Sequence, residues 1–189
     1  LIGRRHTVGQ AVESFALARE MGFENINMDL ILGLPRETLE DVQNTLEQVK
    51  ALAPDSLTVH SLAMKRAARL KMFPEEYQGM EMENSWETVD LAAHYAREMG
   101  LAPYYLYRQK NMAGNFENVG YAAPGKAGLY NVLMMEEKQS IVALGAGSIS
   151  KRVYPDGRIE RCENVKDVAL YIQKIDEMME RKRKLLTDF

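Results

Sequence analysis

The sequence predicts an α/β fold, the later portion of a partial (β/α) TIM-like barrel or a doubly wound sheet with a C-terminal hairpin and helix. Three observations carry this. From Asn25 to Pro35 the chain reads Asn-Ile-Asn-Met-Asp-Leu-Ile-Leu-Gly-Leu-Pro, a nearly unbroken apolar run stopped by Gly33 and Pro35 and flanked by helical patterns. A parallel strand covered on both faces reads this way. Runs of strand character then alternate with segments of helical period down the chain. Finally, Ala-Arg-Glu-Met-Gly occurs at 18–22 and again at 96–100, each time closing a helix before a strand, as in a chain that repeats one α-to-β step. Three or four strands cannot close a barrel, so the pattern describes a later portion of one. The first residue, Leu1, reads as an internal start.

In order, Thr7 with Gln10 forms a capping-box pattern, and Val8, Ala11, Val12, Phe15 and Ala18 share one helical face ended by Gly22. The strand over 26–32 places Ile26, Met28, Leu30 and Leu32 on one side and Asn27, Asp29 and Ile31 on the other. Thr38 and Asp41 open a second helix with Leu39, Val42, Leu46 and Val49 as its buried stripe, closed by Ala53-Pro54. Residues 57–62 make a second strand, with Leu57 and Val59 opposite Thr58, His60 and Leu62. Trp86, Val89, Ala93, Ala96 and Met99 mark a third helix ended by Gly100, and a third strand covers Tyr104 to Tyr107. Arg108 to Lys126 reads as a long polar loop, and loops of that length are usually functional or disordered. A fourth strand is expected over 141–145, running into Gly145-Ala-Gly147, whose small residues permit close approach of a ligand or of another strand. Tyr154-Pro-Asp-Gly157 is a turn, so 149–163 reads as a hairpin. Asn164 is expected to cap a last helix with Val168, Ile172, Ile175 and Met179 inward, and its basic end, Arg181 to Lys184, suits the helix dipole.

The 189 residues allow one sizeable domain or part of a larger one, and 24 basic against 27 acidic residues leave a net charge of −3. That balance favours neither nucleic acid nor a membrane surface. A single cysteine, Cys162, excludes an internal disulfide and any multi-thiolate metal site made by this chain alone. A cytoplasmic, reducing setting follows. No apolar run approaches the roughly 20 residues of a membrane span.

Asp29 is the first candidate site residue. On a strand buried on both faces its carboxylate is costly unless something donates to it, either a ligand or a structural arginine or backbone group. Lys65, Arg66, Arg69 and Lys71 form a basic stretch, either a solvated face or an anion-binding loop. His60 either lines a cavity or is a satisfied core histidine.

The run Gly3-Arg4-Arg5-His6-Thr7, the helix end Ala18 to Phe23 and the string Asn27 to Pro35 resemble the radical S-adenosylmethionine enzymes of the oxygen-independent coproporphyrinogen III oxidase family. Leu57 to Ala63, Tyr104 to Met112, Asn115 to Tyr121 and Ala143 to Ser150 resemble its HemZ-type branch. Asp-Leu-Ile-x-Gly-Leu-Pro is the specific part of this likeness. The resemblance implies that residues 1–107 are the C-terminal portion of a radical-SAM barrel and 108–189 a family-specific region of loop, strand, hairpin and helix.

It also implies roles. Arg4 and Asp29 fall where the family holds S-adenosylmethionine, and Ala63 and Ile149 where it touches that cofactor; against these stand a solvated Arg4 and ordinary core roles for Ala63 and Ile149. A carboxylate accepts from ribose hydroxyls or an amino group, and an arginine clamps a carboxylate. The family's reaction uses a reduced [4Fe-4S] cluster and S-adenosylmethionine to convert propionates of coproporphyrinogen III to vinyl groups without molecular oxygen. Implied partners are a tetrapyrrole substrate and an electron donor. Arg108 and Lys110, following the third strand, are the expected propionate contacts, ahead of Arg66 and Arg69, with a plain surface role as the alternative. The Cys-x3-Cys-x2-Cys triad that ligates the cluster is absent here and is expected upstream. Alternatives within reach of the same sequence are a haem chaperone, an enzyme of another tetrapyrrole, and a folded module with no ligand.

Overall fold

Thr7 starts the first helix as its sequence requires. In a computed structural model that describes residues 5–62, 84–107 and 116–187, α1 spans Val8–Glu20 and opens with a reciprocal capping box. Gln10 N donates to Thr7 Oγ1 at 3.2 Å, and Thr7 N donates to Gln10 Oε1 at 2.9 Å. Of the apolar stripe only Phe15 is buried; Val8 and Val12 lie exposed.

The two copies of Ala-Arg-Glu-Met-Gly end their helices identically. Gly22 and Gly100 adopt φ of 90° and 73°, and their N–H groups bond Arg19 O and Arg97 O. The following residues, Phe23 and Leu101, donate to Ala18 O and Ala96 O, which completes a Schellman motif in both places. The repeat is a stop signal that turns the chain from helix toward strand.

The chain packs as two units, Leu1–Gly128 and Leu129–Phe189. In the first, β1 (Asn27–Leu32) and β2 (Ser56–Ser61) run parallel, joined through α2 (Leu39–Leu52). Thr38 and Asp41 cap α2 reciprocally, and Ala53 leaves it at φ 52°. Helix α3 (Trp86–Glu98) leads into β3 (Ala102–Tyr107), which pairs antiparallel with β4 (Asn118–Ala122). Because β4 also pairs antiparallel with β2, the sheet order is β1-β2-β4-β3. The α/β class and the parallel pair are as expected. The antiparallel β4 is not, since it lies in the stretch read as polar loop, and it ties residues beyond 107 into this first sheet.

Helices α2 and α3 cover one side of that sheet. Val42, Leu46 and Val49 of α2 and Ala92, Tyr95 and Ala96 of α3 meet Leu32, Leu57, Val59 and Tyr121. Each large side chain so buried contributes about 1.5–3 kcal/mol. Leu39, expected inward, is 48% exposed at the first turn of α2. Trp86 is also exposed, its ring set edge-on against Phe116 at 4.7 Å.

In the second unit α4 (Leu129–Met135) precedes a hairpin of β5 (Ile149–Val153) and β6 (Ile159–Glu163), as the Tyr154–Gly157 turn predicts. The expected strand over 141–145 reduces to one bridge, Ile141 to Lys151. The last helical stretch is broken into α5 (Val168–Gln173) and α6 (Ile175–Thr187), and the cap is Asp167, whose side chain accepts from Leu170 N. The buried residues of α6 are Met178, Lys182 and Leu185, whereas Val168, Ile172, Ile175 and Met179 lie exposed. Asn164 has a different task. Its Nδ2 donates to Gly145 O and Ser148 Oγ, and its Oδ1 accepts from buried Lys182 Nζ at 2.7 Å. The glycines at 145 and 147 are thus wrapped by their own chain, with Gly147 N bonded to Val165 O. Lys182 belongs to this buried network and not to a freely solvated basic end.

Candidate functional site on the open face of the sheet

Strand alternation and register assemble the site. Asn27, Asp29 and Ile31 point away from the helices, and across the parallel pair Asp29 stands opposite Thr58 and Ile31 opposite His60. Thr58 is opposite Gly120, and Gly120 opposite Tyr105. One row therefore crosses all four strands: Asp29, Thr58, Gly120, Tyr105. A register irregularity between Pro103 and Tyr105 brings the rings of both Tyr104 and Tyr105 over Gly120. A Cβ at Gly120 would stand 2.0 Å from Tyr105 Cε1, so the absent side chain is what admits the ring.

Asp29 is not interior. Its side chain is 63% exposed, which corrects the expectation of a strand covered on both faces. The reason is that α2 and α3 cover the Met28 and Leu30 side, while no described residue roofs Asp29 on the edge strand. An exposed carboxylate needs no ligand to satisfy it, so the argument from burial does not hold; what remains is the arrangement around the acid. Asn27 Nδ2 donates to Asp29 Oδ1 at 2.6 Å, and His60 Nε2 lies 3.7 Å from Asp29 Oδ2. The neighbouring imidazole, then the Asn27 amide and the Thr58 hydroxyl, hold the carboxyl below its usual range, outweighing the partial burial that pushes it up. Thr58 Oγ1 donates to Asn27 Oδ1 at 3.1 Å. Burial raises the Tyr105 phenol, with Thr58 opposing.

At the end of β1 the Gly-Leu-Pro turn is held by Glu37, whose Oε2 accepts from Gly33 N at 2.7 Å and Leu34 N at 3.1 Å. Burial pushes this carboxyl up, partly offset by those two N–H groups.

Of the other predicted site residues, Arg4, Ala63, Arg108 and Lys110 lie outside the described residues, as do Arg66 and Arg69. Ile149 begins β5 in the second unit, opposite Glu163, and is 47% exposed. His60, one of two readings of which placed it in a core, is partly exposed beside Asp29. Asn27, Thr58, Gly120, Tyr105 and Glu37 were not singled out from sequence. Strand alternation already put Asn27 with Asp29 and Thr58 with His60, but the register that joins them is not written in either strand.

Among relatives, the chain is 41% identical over 186 residues to the oxygen-independent coproporphyrinogen-III oxidase-like protein HemZ of Bacillus subtilis, a match covering 98% of this chain and 37% of that protein. Over nearly its whole length the chain is thus similar to the oxygen-independent coproporphyrinogen III oxidase family. No protein-family profile matches it. Within this family and its kin, the heme chaperone HemW of Haemophilus influenzae is 26% identical over 172 residues, covering 91% of this chain and 41% of its own length. In fold the chain resembles the coproporphyrinogen III oxidase HemN of Escherichia coli, described as a radical SAM enzyme, with a TM-score of 0.63 at 20% identity over 92% of this chain and 39% of that one. The chain thus spans well under half the length of these relatives. No helix among the described residues is long and apolar enough to cross a membrane.

Proposed function

We propose that this chain forms part of a radical S-adenosylmethionine enzyme that oxidatively decarboxylates coproporphyrinogen III propionates to vinyl groups, its sheet being a portion of the barrel that holds the cofactor. The observation that carries the reading is the open polar face around Asp29, within the Asp-Leu-Ile-Leu-Gly-Leu-Pro string of a chain similar to this family. Asp29 fits donors such as ribose hydroxyls or an amino group: one oxygen is engaged by Asn27, and the other has its described neighbour at 3.7 Å, beyond hydrogen-bond length. Cluster ligands are a different matter, since one cysteine cannot provide a thiolate triad, and no step is assigned to a cluster on this chain. When bound, S-adenosylmethionine would supply hydrogen-atom abstraction. The chain's own part is to accept from the nucleoside through Asp29, with Arg4 and Ala63 as the further cofactor contacts. Arg108 and Lys110, next in sequence after β3, are proposed to meet the substrate's propionates.

Replacing Asp29 by Asn in the complete polypeptide should weaken S-adenosylmethionine binding by about tenfold or more, the loss attached to a charged hydrogen-bond acceptor. Calorimetry without reductant measures it, and binding at parental affinity would remove the assignment. A second reading, haem carriage, is favoured by the HemW match. Haem titration beside an anaerobic decarboxylation assay separates the two.

A further inference from the structure

On the open face the hydrogen bonds all point one way. Asn27 is fixed by two partners, donating through Nδ2 to Asp29 and accepting at Oδ1 from Thr58. That contact occupies the single proton of the Thr58 hydroxyl. Donation therefore runs from Thr58 to Asn27 and ends on Asp29 Oδ1, and such chains polarise one another. Beside Asp29 Oδ2 stands His60 Nε2, 3.7 Å away.

From this geometry we infer that Asn27 and Thr58 are positioning residues that hold Asp29 to grip a nucleoside's donors, the ligand entering at the second carboxylate oxygen, beside which His60 Nε2 stands. The inference rests on the reading of Asp29 given above.

Calorimetry of S-adenosylmethionine, without reductant, on the complete polypeptide tests this. Asn27→Ala and Thr58→Val should each weaken binding roughly three- to tenfold, the usual scale of one lost hydrogen bond. Thr58→Ser, which keeps the hydroxyl, should bind with the parent's affinity, and the Asn27→Ala, Thr58→Val double variant should lose little more than Asn27→Ala alone, because both cut one chain of hydrogen bonds. If Asn27→Ala and Thr58→Val melt lower yet bind with the parent's affinity, the network is structural only and the inference is wrong. If Asp29→Asn abolishes binding while these variants do not weaken it, this inference alone fails. If Asp29→Asn binds normally, the cofactor assignment beneath it fails as well.

Discussion

Glu37 shows how one residue can shape a turn the backbone would otherwise hold poorly. The turn after β1 takes Gly33 to φ 82° and Arg36 to φ 64°, the latter a conformation that L side chains seldom adopt. A single oxygen of Glu37 collects the N–H groups of Gly33 and Leu34 and so fixes the path of the chain four residues beyond Asp29. Glu37→Ala should cost about 1–3 kcal/mol, because two part-buried donors lose their acceptor, whereas Glu37→Gln keeps an acceptor oxygen and should cost less than about 1 kcal/mol. Urea denaturation of both variants decides it; equal losses would mean that charge, not acceptance, is what the turn requires. Nothing in the string Gly-Leu-Pro-Arg-Glu marks this role, because a side-chain-to-backbone bond of this kind depends on the turn already made. Asp29 teaches a related point. Which face it occupies followed from counting by two, but its depth depended on what covers that face, and strand periodicity says nothing of the cover.

Among elements, those set by local chemistry were the legible ones. The capping box at Thr7, the helix start at Thr38 and Asp41 and the two helix stops involve residues within five positions of each other, and the structure shows them as read. What failed was non-local. The inward sides of the last helices were misjudged because a six-residue α5 and a separate α6 replaced one continuous stripe. β4 was missed because Asn118 and Gly120 are poor strand formers, held here by pairing on both edges with β2 and β3. The first stop signal also anchors its helix to the sheet. Arg19 pairs with Asp55 at 2.7 Å and donates to Ala53 O, while Asp55 Oδ2 accepts from Ile26 N at 2.9 Å. Against the burial that would raise it, the Ile26 N–H and the Arg19 guanidinium hold Asp55 below the usual carboxylate range. A depressed folded pKa gives stability that is present above the unfolded value and lost as pH falls through the folded one. Asp55→Ala should therefore be about 1–2 kcal/mol less stable at pH 7, with the gap unchanged down to pH 5 and closing only below about pH 4. Chemical denaturation across that range measures it, and a gap that closed near neutrality would assign the effect to another group.

For the whole molecule, the question is how much of the family's chemistry this stretch of chain can carry. It spans 37% of the HemZ relative, and among the described residues its larger sheet has four strands. That sheet can present Asp29 and its row, and that presentation follows from residues that are all in hand. A cluster is another matter, because [4Fe-4S] ligation takes several thiolates and the 189 residues hold one, Cys162, partly buried on β6. No group of three or more His, Cys, Asp and Glu among the described residues is arranged to hold a metal ion either. The two requirements of the proposed reaction, nucleoside binding and cluster binding, thus fall on different sets of residues and can be separated by experiment. Reconstituting this 189-residue chain anaerobically with iron and sulfide should leave it without a stoichiometric cluster, and iron analysis should return far less than one iron per chain. About four irons per chain, with the absorbance of a [4Fe-4S] centre, would show that ligands other than a cysteine triad suffice.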